Sequence, residues 1–252
     1  MKLDNSSAQP GTAASHWHAP PQVYCALPET PCPYLEGKWE RKVMTDIAGA
    51  NAVEQYDLLS RAGFRRSHFF AYRPACSGCQ ACVPVRVVAG EFQPGKSLKR
   101  VQKRNEGLRI IEQAAVATRE QYALFDLYLT SRHADGEMIG MRFDDYSGMI
   151  EHSRLNTSVV EFREADGRLI AACLVDWLVD GPSAVYSFFD PDLETDSLGS
   201  YMVLWLIQAA VEKGLPYVYL GYWIKDSPKM SYKTRFRPIQ RFSRDGWEVF
   251  TA

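Results

Sequence analysis

The feature that most constrains this chain is the order of its apolar segments between residues 158 and 224. Three β-rich runs come first: Ser158 to Arg163, Leu169 to Val179 and Ala184 to Phe189. Asp166-Gly167 and Asp180-Gly181 separate them, and such pairs make tight hairpins because glycine tolerates positive φ. Asp190-Pro191 ends the third run, Leu198 to Lys213 then reads as an apolar helix closed by Gly214, and Leu215 to Ile224 reads as a buried strand. A meander, a helix and a further strand give an α+β fold.

Upstream, Ala52 to Ala62 carries Val53, Tyr56, Leu58 and Leu59 at helical spacing, with Gly63 at its end. Phe64 to Tyr72 and Val83 to Val88 read as strands, and Ser97 to Glu106 as a basic helix. Thr118-Arg-Glu-Gln121 is a capping box opening a helix that runs to Arg132. Residues 1–21 are polar and read as a disordered tail without the apolar stretch of a secretory signal. With no apolar run long enough for a membrane, the expected location is the cytoplasm.

In that compartment the six cysteines are not expected to pair as disulfides. Cys76-x2-Cys79-x2-Cys82 brings three thiols together, with Cys32 as the fourth and Cys25 in reserve. The set suits zinc or an iron–sulfur cluster; the alternative is a loop of reduced thiols that binds nothing. Cys173 lies in an apolar run and reads as core.

Charge is informative only when resolved along the chain. The total is 29 basic against 30 acidic residues. Lys96 to Arg109 and Lys225 to Arg244 together hold 13 basic and 2 acidic residues, which leaves 16 basic and 28 acidic elsewhere. The tracts, with Tyr222, Trp223, Tyr232 and Phe236 interleaved, suit a structured RNA: cations meet phosphates and rings stack on unpaired bases. Lys96, Lys99, Arg100, Lys103 and Arg104 are the candidate RNA contacts.

Two competing chemistries arise from the same residues. Gly90-Glu-Phe-Gln-Pro-Gly95-Lys96-Ser97 matches the phosphate-loop pattern of nucleoside triphosphatases. Against it, Pro94 offers no N–H and Glu91 would face anionic oxygens. A non-enzymatic RNA-binding module with a Cys site is the other. No nucleophile elbow or zinc-protease motif occurs.

The order of segments 158–224 is similar to the core of GCN5-related acetyltransferases, yet Asp196-Ser-Leu-Gly-Ser200 replaces their coenzyme A loop. The chain as a whole resembles the arginyl-tRNA–protein transferase family, in its bacterial leucyl branch. The resemblance rests on Cys32-Pro-Tyr-Leu35, Gly63-Phe-Arg-Arg-Ser67, Tyr72-Arg-Pro-x-Cys76 through Arg86, Lys103-Arg-Asn105, Arg132-His-Ala-Asp-Gly-Glu-Met138, Ser197-Leu-Gly199, Tyr217 to Lys225 and Pro228-Lys-Met-x-Tyr-Lys233 through Phe236-Arg-Pro238. It implies an acetyltransferase-like core with a mixed sheet, preceded by a smaller Cys-containing domain, with segments 22–92, 93–111 and 112–252. It also implies transfer of leucine (arginine is the alternative) from aminoacyl-tRNA to proteins beginning with Asp or Glu, creating a signal for proteolysis. Neither coenzyme A nor any other cofactor is needed for the chemistry, and a monomer is expected.

The acceptor's own α-amine is the nucleophile, with an ordinary pKa of about 7.7–8.0. Site candidates follow. Arg65, Arg66, Arg86, Lys225, Lys229, Lys233 and Arg235 are the cations for the acidic side chain or the acceptor end. Tyr219, Tyr222 and Trp223 would line the aminoacyl-adenosine pocket. Asp190, His133, Asp135 and Glu137 are the acid/base candidates.

Overall fold

The computed structural model describes residues 22–132, 136, 138–225 and 227–251. In chain order its strands and helices are β1 (Cys25–Ala26), β2 (Thr30–Pro31), β3 (Trp39–Glu40), β4 (Lys42–Asp46), α1 (Ala52–Arg61), β5 (Arg65–Ser67), β6 (Phe70–Pro74), β7 (Val83–Val88), α2 (Lys96–Arg104), β8 (Arg109–Ala114), α3 (Arg119–Arg132), α4 (Phe143–Glu151), β9 (Thr157–Arg163), β10 (Leu169–Leu178), β11 (Gly181–Phe189), α5 (Leu198–Glu212), β12 (Tyr217–Trp223), β13 (Ile239–Ser243) and β14 (Gly246–Val249). Among the described residues no helix is long and apolar enough to cross a membrane.

The large sheet has eight strands in the order β14-β13-β7-β12-β11-β10-β9-β8. Its β9-β10-β11 meander is antiparallel, and β12 returns parallel to β11 after α5. This is the meander–helix–strand order that segments 158–224 predict, and the fold is α+β with a mixed sheet. β10 is apolar almost throughout because both faces are covered. Ile170, Cys173 and Val175 pack in the cluster that holds Met202, Leu206 and Ala210 of α5. Leu169, Ala172 and Leu174 pack with Phe125 and Leu129 of α3 and Tyr146 and Ile150 of α4. The capping box at the start of α3 forms, with Thr118 N–H donating to Gln121 Oε1 and Gln121 N–H to Thr118 Oγ1, both at 3.1 Å.

Three features differ from the sequence reading. Phe64 to Tyr72 is a hairpin, β5-β6, rather than one strand; it turns at His68, whose φ is +54°. Val83–Val88, read with the N-terminal Cys-motif segment, is a central strand of the large sheet between β12 and β13. The second basic tract ends in the β13-β14 hairpin, with Arg241 and Glu248 paired across it at 2.8 Å.

The remaining N-terminal strands form a sheet in the order β1-β4-β6-β5. It is fastened to the large sheet by a buried ion pair: Arg66 Nε lies 2.7 Å from Asp176 Oδ2, with both side chains essentially inaccessible. Asp176 also accepts from Thr157 Oγ1 at 2.8 Å, while Arg66 Nη1 donates to the His68 carbonyl. Ile47, Tyr56, Leu59 and Ala71 meet Leu178 and Tyr219 in a third apolar cluster beside it.

Candidate functional site

The parallel strands β11 and β12 are paired at a single position, Ser183 with Tyr219, and then part. Each carries a bulge where they separate. Val185 has no counterpart between the pairs Val175–Ala184 and Leu174–Tyr186, and Leu220 has none between Tyr219–Arg86 and Gly221–Val85. Bulges bend a strand and end its pairing locally, so two of them open a gap whose carbonyl edges face no partner strand.

Two cations hold those edges. Arg65, from β5, donates through Nη2 to the carbonyls of Ala184 at 2.6 Å and Val185 at 3.3 Å. Lys233 donates through Nζ to the Tyr222 carbonyl at 2.5 Å. The geometry explains Gly221: its φ is +75°, and a Cβ there would lie 2.5 Å from Arg65 Nη1. Glycine is what lets the guanidinium enter the gap.

Arg65 Nη1 is buried and has no hydrogen-bond partner. A buried guanidinium donor left unpaired costs free energy unless something arrives to accept from it. Lys233 is 8% exposed. Burial, and then the charge of Arg65, push its pKa down to about 7. Tyr222 supports the gap from β12, its hydroxyl donating toward the carbonyls of Gly63 at 3.0 Å and Tyr72 at 3.2 Å. Burial, chiefly, pushes the Tyr222 and Tyr219 phenols up, so both remain neutral donors.

The other cations sort by their partners. Arg66 is committed to Asp176 through Nε, although its Nη2, like Arg65 Nη1, is buried without a partner. Arg86 donates to Tyr219 Oη at 3.0 Å and Gln240 Oε1 at 2.8 Å, and is stacked between the Tyr217 ring at 3.4 Å and the Trp247 ring at 4.3 Å. Tyr219 in turn donates to Asp180 at 3.0 Å. Trp223 is half-buried against Phe250, and its Nε1 has no partner. Lys225, Lys229 and Arg235 are exposed.

The basic tracts meet. Leu98, Val101 and Asn105 turn inward from α2, while Lys96, Lys99, Arg100, Lys103 and Arg104 are exposed. Arg235 Nη2 donates to Ser97 Oγ at 3.3 Å, joining the second tract to the start of α2. The same short 3-10 turn, Ser231–Arg235, carries Lys233 into the gap. The exposed cations therefore lead from α2 to the parting of the strands. The phosphate-loop match has no nucleotide fold around it: β7 is antiparallel to both its neighbours, and Asp176 is occupied by Arg66.

Asp190 lies at the end of β11. Its Oδ1 accepts from the Asp192 N–H at 3.0 Å and its Oδ2 pairs with Arg168 at 2.9 Å. The gap begins six residues earlier, about 20 Å along an extended strand, so the structure does not bring Asp190 to Arg65 and Lys233. His133, Asp135 and Glu137 lie outside the described residues.

The thiols correct an expectation. Burial, followed by the nearby Cys32, Cys76 and Cys79, pushes the Cys82 thiol up to about 12, which puts the four sulfurs near one another. Cys76 Sγ is engaged with the backbone of Arg41. Among the described residues no group of three or more His, Cys, Asp or Glu side chains is arranged to hold a metal ion. Zinc or iron–sulfur at Cys32, Cys76, Cys79 and Cys82 is not supported; Cys25 is exposed and Cys173 is core, as its apolar run predicts. A cleft of about 310 Å³ lies beside these thiols, lined also by Arg73, Pro84, Phe242 and Arg244. Pro84 is shared with a small pocket lined by Arg65 and Gly221.

Known proteins share this chain's sequence over most of its length. The family description "Arginine-tRNA-protein transferase, N terminus" matches residues 30–100, and its C-terminal counterpart matches residues 120–243. A protein of Paramagnetospirillum magneticum named aspartate/glutamate leucyltransferase is 51% identical over 91% of this chain and 94% of its own. The chain belongs to the arginine-tRNA–protein transferase family. Relatives of the same name in Afipia carboxidovorans and Granulibacter bethesdensis are 52% and 48% identical, each over 92% of this chain, and over 94% and 86% of their own lengths. Family membership makes the chain an aminoacyltransferase. It also accounts for Gly95-Lys96-Ser97 as a coincidence of spacing. The residue that sequence reasoning missed is Gly221; a lone glycine inside an aromatic strand is the signal of a close approach.

Proposed function

We infer that the chain moves leucine from leucyl-tRNA to the N-terminal α-amine of proteins beginning with Asp or Glu, and so marks them for proteolysis. One observation carries the reading: a buried, unpaired Arg65 Nη1 at a strand parting to which an exposed basic surface leads. The relatives' shared name supports the donor and acceptor. Arg65 reads the acidic side chain, since a guanidinium gives carboxylates a directed, charge-assisted contact. The cations of α2 and Lys225, Lys229 and Arg235 hold the phosphates of the tRNA, setting its register on the protein. Tyr222 and Trp223 line the aminoacyl-adenosine end. The cleft beside the thiols admits the acceptor chain.

The aminoacyl ester is already activated, so no nucleoside triphosphate is consumed and no enzyme nucleophile is required. The enzyme's contribution is to bring amine and ester together and to manage the proton. Coenzyme A has no place in the scheme. The turn that leads into α5, Pro191–Asp196, carries Asp192, Glu194 and Asp196 and offers no glycine-rich backbone for a pyrophosphate. Arg65, Lys233 and the basic surface belong to one chain, so a monomer suffices, and the need for charged tRNA places the work in the cytoplasm.

The test is a transfer assay with leucyl-tRNA, arginyl-tRNA and a Glu-starting peptide. Leucine is the amino acid expected in the product; arginine alone would reassign the donor, and transfer of neither would refute the enzyme reading. Glutamate at positions 96, 99, 100 and 103 should raise the KM for leucyl-tRNA. It should also flatten the dependence of binding on salt, by roughly 0.7–0.9 in log–log slope for each phosphate left without its cation. Unchanged KM and slope would remove α2 from the RNA surface.

A further inference from the structure

We propose that Lys233 Nζ is the base that takes the proton from the acceptor's α-ammonium. The proposal rests on the transferase reading above and adds to it the group that handles the proton.

The placement of Lys233 is the first argument. It reaches the strand parting from the turn Ser231–Arg235, and the only hydrogen-bond partner of its Nζ among the described residues is the Tyr222 carbonyl. No carboxylate among the described residues pairs with it, whereas Arg65 of β5 acts on it as a like charge. Tyr222 of β12 and Tyr232 on its own turn are neutral neighbours, their phenols pushed up by burial. A lysine retained merely to satisfy one carbonyl needs only its ammonium form. Here burial and Arg65 both favour the free amine, bringing its pKa to about 7. A free amine still donates one N–H to Tyr222 and keeps a lone pair for a proton. Side chains with pKa values near the working pH are the efficient proton acceptors.

The second argument is the charge pattern of the acceptor. An N-terminal Asp or Glu brings a carboxylate and an ammonium a few bonds apart. Arg65 Nη1 is the free donor for the carboxylate. A second permanently charged cation beside it would repel the ammonium; a neutral lysine accepts its proton instead.

The step balances as follows. Nζ takes one proton from the α-ammonium. The freed nitrogen attacks the ester carbonyl carbon, forming the new C–N bond, and the bond from that carbon to the tRNA ribose oxygen breaks. The leaving oxygen takes a second proton from the attacking nitrogen, giving an amide and a free hydroxyl. Lys233 then returns its proton to solvent. Nothing is oxidised or reduced.

The experiment measures leucyl transfer against pH for the unmodified protein, Lys233→Arg and Lys233→Met. Two acceptors are compared: a Glu-starting peptide and the same peptide with an α-hydrazino acid at its N-terminus, a nucleophile largely unprotonated at neutral pH. With the Glu peptide, the unmodified protein should gain activity as pH rises through about 7. Lys233→Arg, always protonated, should lose about 10²- to 10⁴-fold and rise only where the acceptor's own amine titrates, at about 7.7–8.0. Lys233→Met should lose as much with the Glu peptide and recover most of it with the hydrazino peptide. Equal losses of Lys233→Met on both acceptors, or the rise through about 7 retained unshifted in Lys233→Arg, would overturn the proton role while leaving transfer intact. Absence of transfer by the unmodified protein would overturn the transferase reading, and this proposal with it.

Discussion

Arg65→Met should lower kcat/KM for a Glu-starting peptide by roughly 30-fold to several thousand-fold. Truncating one partner of a buried charged contact costs about 2–5 kcal/mol, and about 1.4 kcal/mol is a factor of ten. The diagnostic is selectivity rather than rate alone. Arg65 also holds the Ala184 and Val185 carbonyls, so removing it loosens the parting for every acceptor. Comparison with a Gln-starting peptide separates the roles. If Arg65 reads the carboxylate, the preference for Glu over Gln collapses; if it only braces the strands, the preference survives at reduced rate. Arg65→Lys should restore little, because an ammonium cannot bond β11 and a carboxylate from one planar fork. A preserved Glu-to-Gln ratio in Arg65→Met would move acidic recognition elsewhere, with Arg73 and Arg244 in the cleft as the next candidates.

The second large effect is on stability. Arg66→Met or Asp176→Asn leaves one member of a fully buried pair without its partner, which costs about 3–5 kcal/mol. At about 2–4 °C per kcal/mol for a chain of this size, the thermal midpoint should fall by roughly 6–20 °C. Replacing both residues by apolar ones should recover much of the loss, since the intact pair's attraction is largely offset by desolvation. A single variant melting with the unmodified protein would show that the N-terminal sheet is not held to β10 through this pair.

These two predictions also mark where the sequence was legible. Asp-Gly turns and an apolar helix announced the meander, α5 and β12, because those signals are local. Charge spacing announced the exposed face of α2 for the same reason. The β13-β14 hairpin carried its own signal, Asp245-Gly246, but sits in a tract whose charge invited a different reading. Arg65, Arg66 and Arg86 could not be told apart, since their partners are 110 to 154 residues away in sequence. Which guanidinium is free depends on those distant partners. The thiol spacing suggested a coordination shell, but spacing states only that sulfurs can approach, and no metal-holding group is arranged among the described residues.

The place of β7 bears on how the protein is made. This strand leaves the ribosome long before its partners, β12 and β13. Until then both its edges are unpaired. Pairing at such sequence separation is slow, and open edges on an incomplete chain invite association. The centre of the sheet can close only after β12 and β13 have been made. A nascent chain stalled before β12 should therefore remain open to protease within β7, and one extended through β14 should be protected.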